Sequence, residues 1–133
     1  MRKILLALAA AATLGAPAAA APRLHGEAQL AKILEGRTPG KPVDCIDLRR
    51  VWSSQIVDHT AIVYDVGGTL YVNRPRGGAE SLTNWDTMLV KPFDGQLCRI
   101  DTVQMLDGGS HSFRGIVFLG DFVPYEKVRN GTR

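Results

Sequence analysis

Two cysteines place the strongest constraint on how this chain can fold. Cys45 and Cys98 are its only cysteines, and they lie 53 positions apart around most of the strand-like sequence. That spacing excludes a redox Cys-x-x-Cys pair, and two cysteines without nearby histidines cannot form a structural zinc site. In an oxidising compartment, one structural disulfide between them is therefore expected. The alternative is a pair of buried free thiols, which pack as small apolar side chains.

The N-terminal segment predicts that the chain reaches such a compartment. Met1-Arg2-Lys3 is a short basic start, residues 4–14 are almost wholly apolar, and Ala18-Ala19-Ala20 supplies small residues. This order is typical of a secretory signal peptide. The apolar run is too short for a membrane span, which needs about 20 residues. We expect cleavage after Ala20, a periplasmic or secreted protein, and no stable membrane insertion after cleavage.

The charge balance argues against an anionic partner such as nucleic acid. The whole chain carries 16 Lys and Arg against 13 Asp and Glu, a net charge of +3. Arg2 and Lys3 leave with the signal peptide, so 14 basic residues remain against 13 acidic ones and the net charge becomes +1. Nucleic-acid-binding domains normally show a basic surplus. We therefore predict no nucleic-acid partner, and another envelope protein is the kind of partner expected.

The residue pattern after the signal peptide predicts a mainly β domain. Residues 26–36 are the one helix candidate, and Gly67-Gly68, between two β-branched and aromatic runs, is the strongest hairpin signal. Several short strand-like runs with turn signals between them suggest a small antiparallel β-barrel or sandwich of about six strands, with one short N-terminal helix and one disulfide. The predicted boundaries are a signal peptide at 1–20, a short helix and Pro/Gly connector at 21–42, a β domain at 43–125 and a loose C-terminal tail at 126–133.

The sequence contains no catalytic or metal-binding pattern. His25, His59 and His111 show neither His-x-His nor His-x-x-x-His spacing, so we predict no metal and no cofactor. Asp107 and Ser110 lie close to His111, but neighbours along a turn do not give triad geometry. There is also no Gly-x-Ser-x-Gly motif. We predict that the protein is not an enzyme. The alternative is a small periplasmic hydrolase that uses His111 or His59 with a nearby acid or serine.

A long polar loop at residues 74–86 holds the candidate binding residues. It contains Arg74, Arg76 and Trp85. Long loops on rigid scaffolds often carry binding, and Trp and Arg are typical interface anchors. These residues lead us to predict a binding or envelope-accessory module. The alternative for Trp85 is that it folds back over the core, and Trp52 carries the same ambiguity.

Three segments together follow a known pattern. Residues 34–46 read Leu-Glu-Gly-Arg-Thr-Pro-Gly-Lys-Pro-Val-Asp-Cys-Ile, in which a helix end leads through Gly-Arg and Gly-x-Pro into a Cys-Ile strand. This run resembles an uncharacterised family of small exported proteobacterial proteins of unknown function. Residues 56–64 and 119–125 are similar to the middle and the end of that family. The resemblance implies location and architecture, and it carries no catalytic motif and implies no mechanism.

Overall fold

The computed structural model describes residues 15–18 and 25–129. Residues 15–18 are exposed and have no regular structure. The rest of the predicted signal peptide, and the end of the predicted tail from residue 130, lie outside the described residues. Within the described ranges, no helix combines the length and the apolar character needed to cross a bilayer.

One α-helix and ten strands make up the described chain, together with short 3-10 turns at Leu48–Arg50 and Ala79–Ser81. The helix, α1, spans Glu27–Ile33. The strands are β1 (Arg37–Pro39), β2 (Cys45–Asp47), β3 (Val51–Val57), β4 (Ala61–Val66), β5 (Thr69–Asn73), β6 (Thr87–Leu89), β7 (Gln96–Cys98), β8 (Thr102–Leu106), β9 (Phe113–Phe118) and β10 (Phe122–Lys127).

The strands form three open antiparallel sheets. Five strands make one sheet in the order β1-β10-β5-β4-β3, three make a second in the order β6-β8-β9, and β2 pairs with β7. The prediction of a mainly β fold with one helix is confirmed. The prediction of a barrel or sandwich of about six strands is wrong, because the sheets are open and ten strands are present. Four of the strands have only three residues, too few to show a clear alternation in sequence.

Two consecutive hairpins build the middle of the five-stranded sheet. At Gly67 and Gly68 the backbone φ angles are 61° and 93°, and Val66 pairs with Thr69 across this two-residue turn. The hairpin predicted here is confirmed, and its cause is the positive φ that only glycine adopts without strain. The preceding β3–β4 hairpin turns at residues 58–60, where His59 has a φ of 54°. Histidine is not a strong turn signal, so this turn was not anticipated.

The five-stranded sheet is covered on both faces. Ala61 and Val63 of β4 pack with Leu30 of α1 on one face. Ile62 and Tyr64, which point the opposite way, pack with the two smaller sheets on the other. Side chains alternate between the faces of a strand, so a strand buried on both sides needs a continuous apolar run, as β4 has. The molecule thus has three layers, with the large sheet in the middle.

Two strands extend into segments for which the sequence predicted no strand. β1 lies inside the predicted connector, and β10 continues through Lys127 into the predicted loose tail. The two strands pair with each other in antiparallel fashion, with Arg37 opposite Lys127 and Pro39 opposite Tyr125. Pro39 is tolerated because β1 is an edge strand, where a missing backbone N–H need not break a ladder.

The predicted disulfide is confirmed. Cys45 and Cys98 lie opposite each other in the β2–β7 ladder, with their sulfur atoms 2.04 Å apart. Their neighbours Ile46 and Leu97 are also paired, and both are buried in the core beneath the large sheet. The disulfide therefore fastens a small sheet whose apolar residues already help to fill the core.

Candidate functional site

Arg74 ties the helix to the large sheet. Its guanidinium makes a two-pronged contact with the Glu27 carboxylate of α1, in which Nη2 donates to Oε2 over 2.9 Å and Nη1 donates to Oε1. These hydrogen bonds hold the pKa of Glu27 below its usual range. A bidentate pair of this kind is the strongest arrangement available to an Arg and a carboxylate. Arg74 is thus already engaged within the chain.

Residues 76–78 run along the edge of β9 that has no neighbouring strand in the described part of the chain. The Arg76 N–H donates to the Phe118 carbonyl over 3.0 Å, and Gly77 forms an isolated bridge with the same residue. At Gly78 the backbone φ is 79°, and a Cβ there would overlap the Ile116 carbonyl. We call residues 74–86 the strap loop. The first half of the strap loop covers the edge of β9, and the two backbones come so close at Gly78 that a larger residue would not fit there.

The second half of the strap loop ends on the β8–β9 hairpin. Leu82 is fully buried in the core, and the Trp85 carbonyl approaches Gly108 so closely that a Cβ at Gly108 would overlap it. The Trp85 side chain is 79% exposed, and Trp52 is similarly exposed. Neither tryptophan folds back over the core.

The structure does not gather Arg74, Arg76 and Trp85 into one site. Arg76 lies beside Phe118, at one end of β9, whereas Trp85 lies beside the turn that precedes the other end. At about 3.3 Å per strand residue, those two ends are roughly 15 Å apart. The strap loop therefore frames one side of the three-stranded sheet and presents one predicted residue at each of its ends.

The face of the three-stranded sheet that points away from the core is the main exposed apolar surface beside this loop. Met88, Met105 and Val117 point inward and pack in the core. Their neighbours along each strand therefore point outward. Cross-strand pairing places them in two rows, Leu89–Gln104–Ile116 and Thr102–Phe118. We call these five residues the outer face.

Apolar side chains on the outer face remain accessible to solvent. Leu89, Ile116 and Phe118 are all exposed, Phe118 to 46%. Beyond them, Phe113 pairs with Leu106 and is 60% exposed. Single exposed apolar residues are ordinary, but neighbouring ones on one flat surface are typical of a surface that another molecule covers.

Basic side chains border this face. Lys91 lines a shallow depression of about 110 Å³ together with Leu89 and Gln104. Arg76 lies at the Phe118 end. Among the described residues, neither Lys91 nor Arg76 has an ion-pair partner. The acidic residue in the same depression, Asp101, accepts the Cys98 N–H over 2.8 Å. The border thus carries two basic side chains that form no direct ion pair within the described ranges, and Asp121 lines a depression with Arg76 as Asp101 does with Lys91.

A partly buried charge cluster fixes the Trp85 end. The Asp86 side chain is only 4% exposed, and its Oδ2 accepts no hydrogen bond from the described residues. The Arg114 Nε lies 3.5 Å from that oxygen, and its Nη1 lies 3.8 Å from Asp107 Oδ2. Asp107 also accepts the N–H groups of Ser110 and Gly109, which lowers the pKa of its carboxyl. Arg114 thereby links the end of the strap loop to the hairpin.

The histidines do not meet an acid or a hydroxyl. His59 Nδ1 lies 3.0 Å from the backbone carbonyl of Glu80, and His111 lies exposed in the hairpin turn. Ser110 Oγ bonds instead to Asp107 Oδ1 and to Ser112 Oγ. Within the described ranges, neither imidazole forms a hydrogen bond with a serine hydroxyl or an aspartate. Nor do three His, Cys, Asp or Glu side chains converge there in a way that could hold a metal.

Comparison with protein-family models, with curated proteins and with solved structures finds no match for this chain. The assignment of a site therefore depends on the geometry of the chain itself. The outer face was missed from sequence, although a signal for it exists. Ile116-Val117-Phe118 is apolar at consecutive positions, so this strand has apolar side chains on both faces.

Proposed function

We propose that the protein is an exported, non-enzymatic binding module that docks another envelope protein on its outer face. The observation that carries this proposal is the set of exposed apolar side chains Leu89, Ile116 and Phe118, which lie in two adjacent rows on a sheet whose other side packs in the core. Burying such residues on association is favourable at about 25 cal/mol per Å² of apolar surface. A rigid sheet also loses little conformational entropy on binding.

The border charges indicate the character of the partner surface. Arg76 and Lys91 form no ion pair among the described residues, although Asp121 lines the same depression as Arg76 and Asp101 the same depression as Lys91. An apolar patch flanked by Asp or Glu on the partner would complement this arrangement. Charge complementarity of this kind raises the association rate and selects among partners more than it adds affinity.

Two features support an extracytoplasmic location. The N-terminal sequence has the order of a signal peptide. The single disulfide joins two paired strands of one chain, and such bonds are typical of proteins that mature in an oxidising compartment.

The proposal is tested by placing a photo-crosslinking residue at Ile116 or Leu89 in the exported protein in cells. Val128, which is equally apolar, exposed and away from the three-stranded sheet, is the matched control. We expect the same partner to be captured from both outer-face positions and not from Val128.

Purified partner then provides the quantitative measurement. We expect Ile116→Lys to weaken binding at least about 10-fold, the equivalent of about 1.4 kcal/mol, and Val128→Lys to leave it unchanged. We expect Lys91→Glu to slow association more than it speeds dissociation. Equal affinities for the Ile116→Lys and Val128→Lys variants, or capture from Val128 alone, would overturn the proposal.

A further inference from the structure

The three-layer fold leaves one long strand edge open. Most edges of the sheets are short or covered: β1 has three residues and contains Pro39, β6 has three residues, and the strap loop covers β9. β3, in contrast, is a seven-residue strand at the edge of the five-stranded sheet. Natural proteins usually protect such an edge with a charge, a proline or a short length, because its unpaired backbone groups can pair with another strand.

β3 has little of this protection. Its sequence, Val-Trp-Ser-Ser-Gln-Ile-Val, contains no charge and no proline. An irregularity between Val51 and Ser53 disturbs only its first residues. The next part, Ser53–Gln55, is exposed, and among the described residues its backbone bonds only to β4. The outward backbone groups of this part are therefore available.

We propose that a second copy of this chain adds to this edge, so that β3 pairs with β3 of the other copy in antiparallel fashion. The charges at the two ends of the strand favour this occupant and this direction. Arg50 precedes β3 and Asp58 follows it, and within the described ranges neither side chain forms an ion pair, although Asp58 Oδ1 accepts the Asn84 N–H over 2.6 Å and the Arg50 guanidinium lies beside Gly67. Antiparallel pairing brings the Arg50 end of each strand toward the Asp58 end of the other, so that opposite charges approach each other. Parallel pairing would place like charges together.

A twofold axis makes both of these contacts at once, because the same surface patch serves both copies. The axis lies near Ser54, which is midway between Arg50 and Asp58 in the sequence. Ser53 and Ser54 are small and exposed, so the two backbones can approach to ladder distance at the centre. The two five-stranded sheets then continue as one sheet of ten strands.

The dimer is expected to be weak. The contact consists of one strand pair, which is small compared with the roughly 1,200–2,000 Å² of stable protein interfaces. The exposed Trp52 at the border of the strand adds apolar area. We expect monomer and dimer to exchange over protein concentrations of about 10 µM to 1 mM.

Cross-linking tests the register directly. Residues directly opposite in an antiparallel pair have Cα atoms about 4.5–5.5 Å apart, which a disulfide can bridge. We expect a Ser54→Cys variant to form a covalent dimer on mild oxidation. Ser110→Cys, at the exposed tip of the β8–β9 hairpin, is the matched control and should remain monomeric. Peptide mapping should show the Cys45–Cys98 bond intact in both variants.

Sedimentation of the protein without added cysteines tests association itself. We expect the average mass to rise with concentration, and Ser54→Lys to weaken the dimer at least about 10-fold, because two like charges then face each other at the axis. Ser110→Lys should behave as the unmodified chain. A constant monomer mass at the highest concentration, a dimer unaffected by Ser54→Lys, or equal cross-linking from Ser110→Cys would each refute the proposal.

Discussion

At the scale of single residues, two buried polar groups behave in opposite ways. The Asn73 amide is fully buried and satisfied, because its Nδ2 donates to the Gly120 carbonyl over 2.7 Å and its Oδ1 accepts the Gly120 N–H over 2.9 Å. The Tyr64 hydroxyl is also buried, but it has no hydrogen-bond partner among the described residues. Burial raises the pKa of this hydroxyl and keeps it neutral.

Replacing Asn73 by Ala should be strongly destabilising. The change removes two hydrogen bonds and leaves both backbone groups of the half-buried Gly120 without these partners, which we expect to lower the free energy of unfolding by about 1–3 kcal/mol. Urea denaturation measures the loss. Asn84→Ala, at an exposed position, is the control and should change the stability by less than about 0.5 kcal/mol.

Replacing Tyr64 by Phe should leave the free energy of unfolding unchanged or raise it slightly. The ring keeps its packing against Phe122, at 6.0 Å between centroids, while an unsatisfied hydroxyl is removed. We expect a change between 0 and about +1 kcal/mol in the free energy of unfolding, because an unpaired buried polar group costs free energy. A loss above about 1 kcal/mol in the same urea experiment would show that the hydroxyl has a partner, such as a bound water.

At the scale of elements, the strap loop is held down by close backbone contacts. Glycines face it at several points where a side chain would collide with it. Gly108 meets the Trp85 carbonyl, Gly120 meets the Arg74 carbonyl, and Gly115 meets the Ser81 side chain. The loop is therefore a fixed part of the fold, which suits it to frame a binding surface.

The neighbouring glycines of the β8–β9 turn provide a matched test of this contact. A Cβ at Gly108 would overlap the Trp85 carbonyl, whereas a Cβ at Gly109 would lie 3.4 Å from Asp107 Oδ1. We expect Gly108→Ala to destabilise the protein by about 1–3 kcal/mol, because backbone must move. It should also change the fluorescence of the exposed Trp85. Gly109→Ala should stay within about 0.5 kcal/mol of the unmodified protein, and equal effects at the two positions would contradict the close contact.

The helix depends on a pair that responds to pH. Because Glu27 has a lowered pKa in the folded protein, its pair with Arg74 stabilises the fold above the unfolded pKa of about 4.3, and this contribution is lost as the pH falls through the folded value. Both side chains are more than half exposed, so its size is at most about 1 kcal/mol. We expect Glu27→Gln to destabilise at pH 7 and to lose its effect in acid, once the Glu27 carboxyl is protonated in the folded protein as well. Glu35→Gln, at an exposed position after the same helix and without an ion pair among the described residues, is the matched control.

The sequence was sufficient to predict features that depend on local backbone conformation or on the pairing of the cysteines. Gly67-Gly68 specifies its hairpin through backbone φ alone, and the two cysteines can pair in only one way within the chain. Contacts between distant residues could not be predicted in the same manner. Glu27 and Arg74 are 47 positions apart, and nothing along the chain marks them as partners. The outer face also depends on which side of a sheet the core covers, and that is a property of three layers rather than of one strand.

At the scale of the whole molecule, the disulfide should supply a large part of the stability. In the chain-entropy model, a closed loop of 53 residues contributes roughly 4 kcal/mol, against a typical total of about 5–15 kcal/mol. We expect a reducing agent to lower the free energy of unfolding by that amount. A variant with both Cys45→Ala and Cys98→Ala should be similarly unstable and insensitive to the reducing agent. If the reducing agent also lowered the stability of that variant, its effect on the unmodified protein could not be assigned to the Cys45–Cys98 bond.

The place of β10 in the large sheet has a consequence for how the chain is made. β10 comes last of the ten strands along the chain, yet it lies between β1 and β5. Ribosomes release a chain from its N-terminus, so β1 has no neighbour to pair with until residue 127 has emerged. Pairings between such distant segments form late because the intervening chain must first be ordered. The large sheet thus stays incomplete, with the β1 edge unpaired, until the β10 segment has left the ribosome.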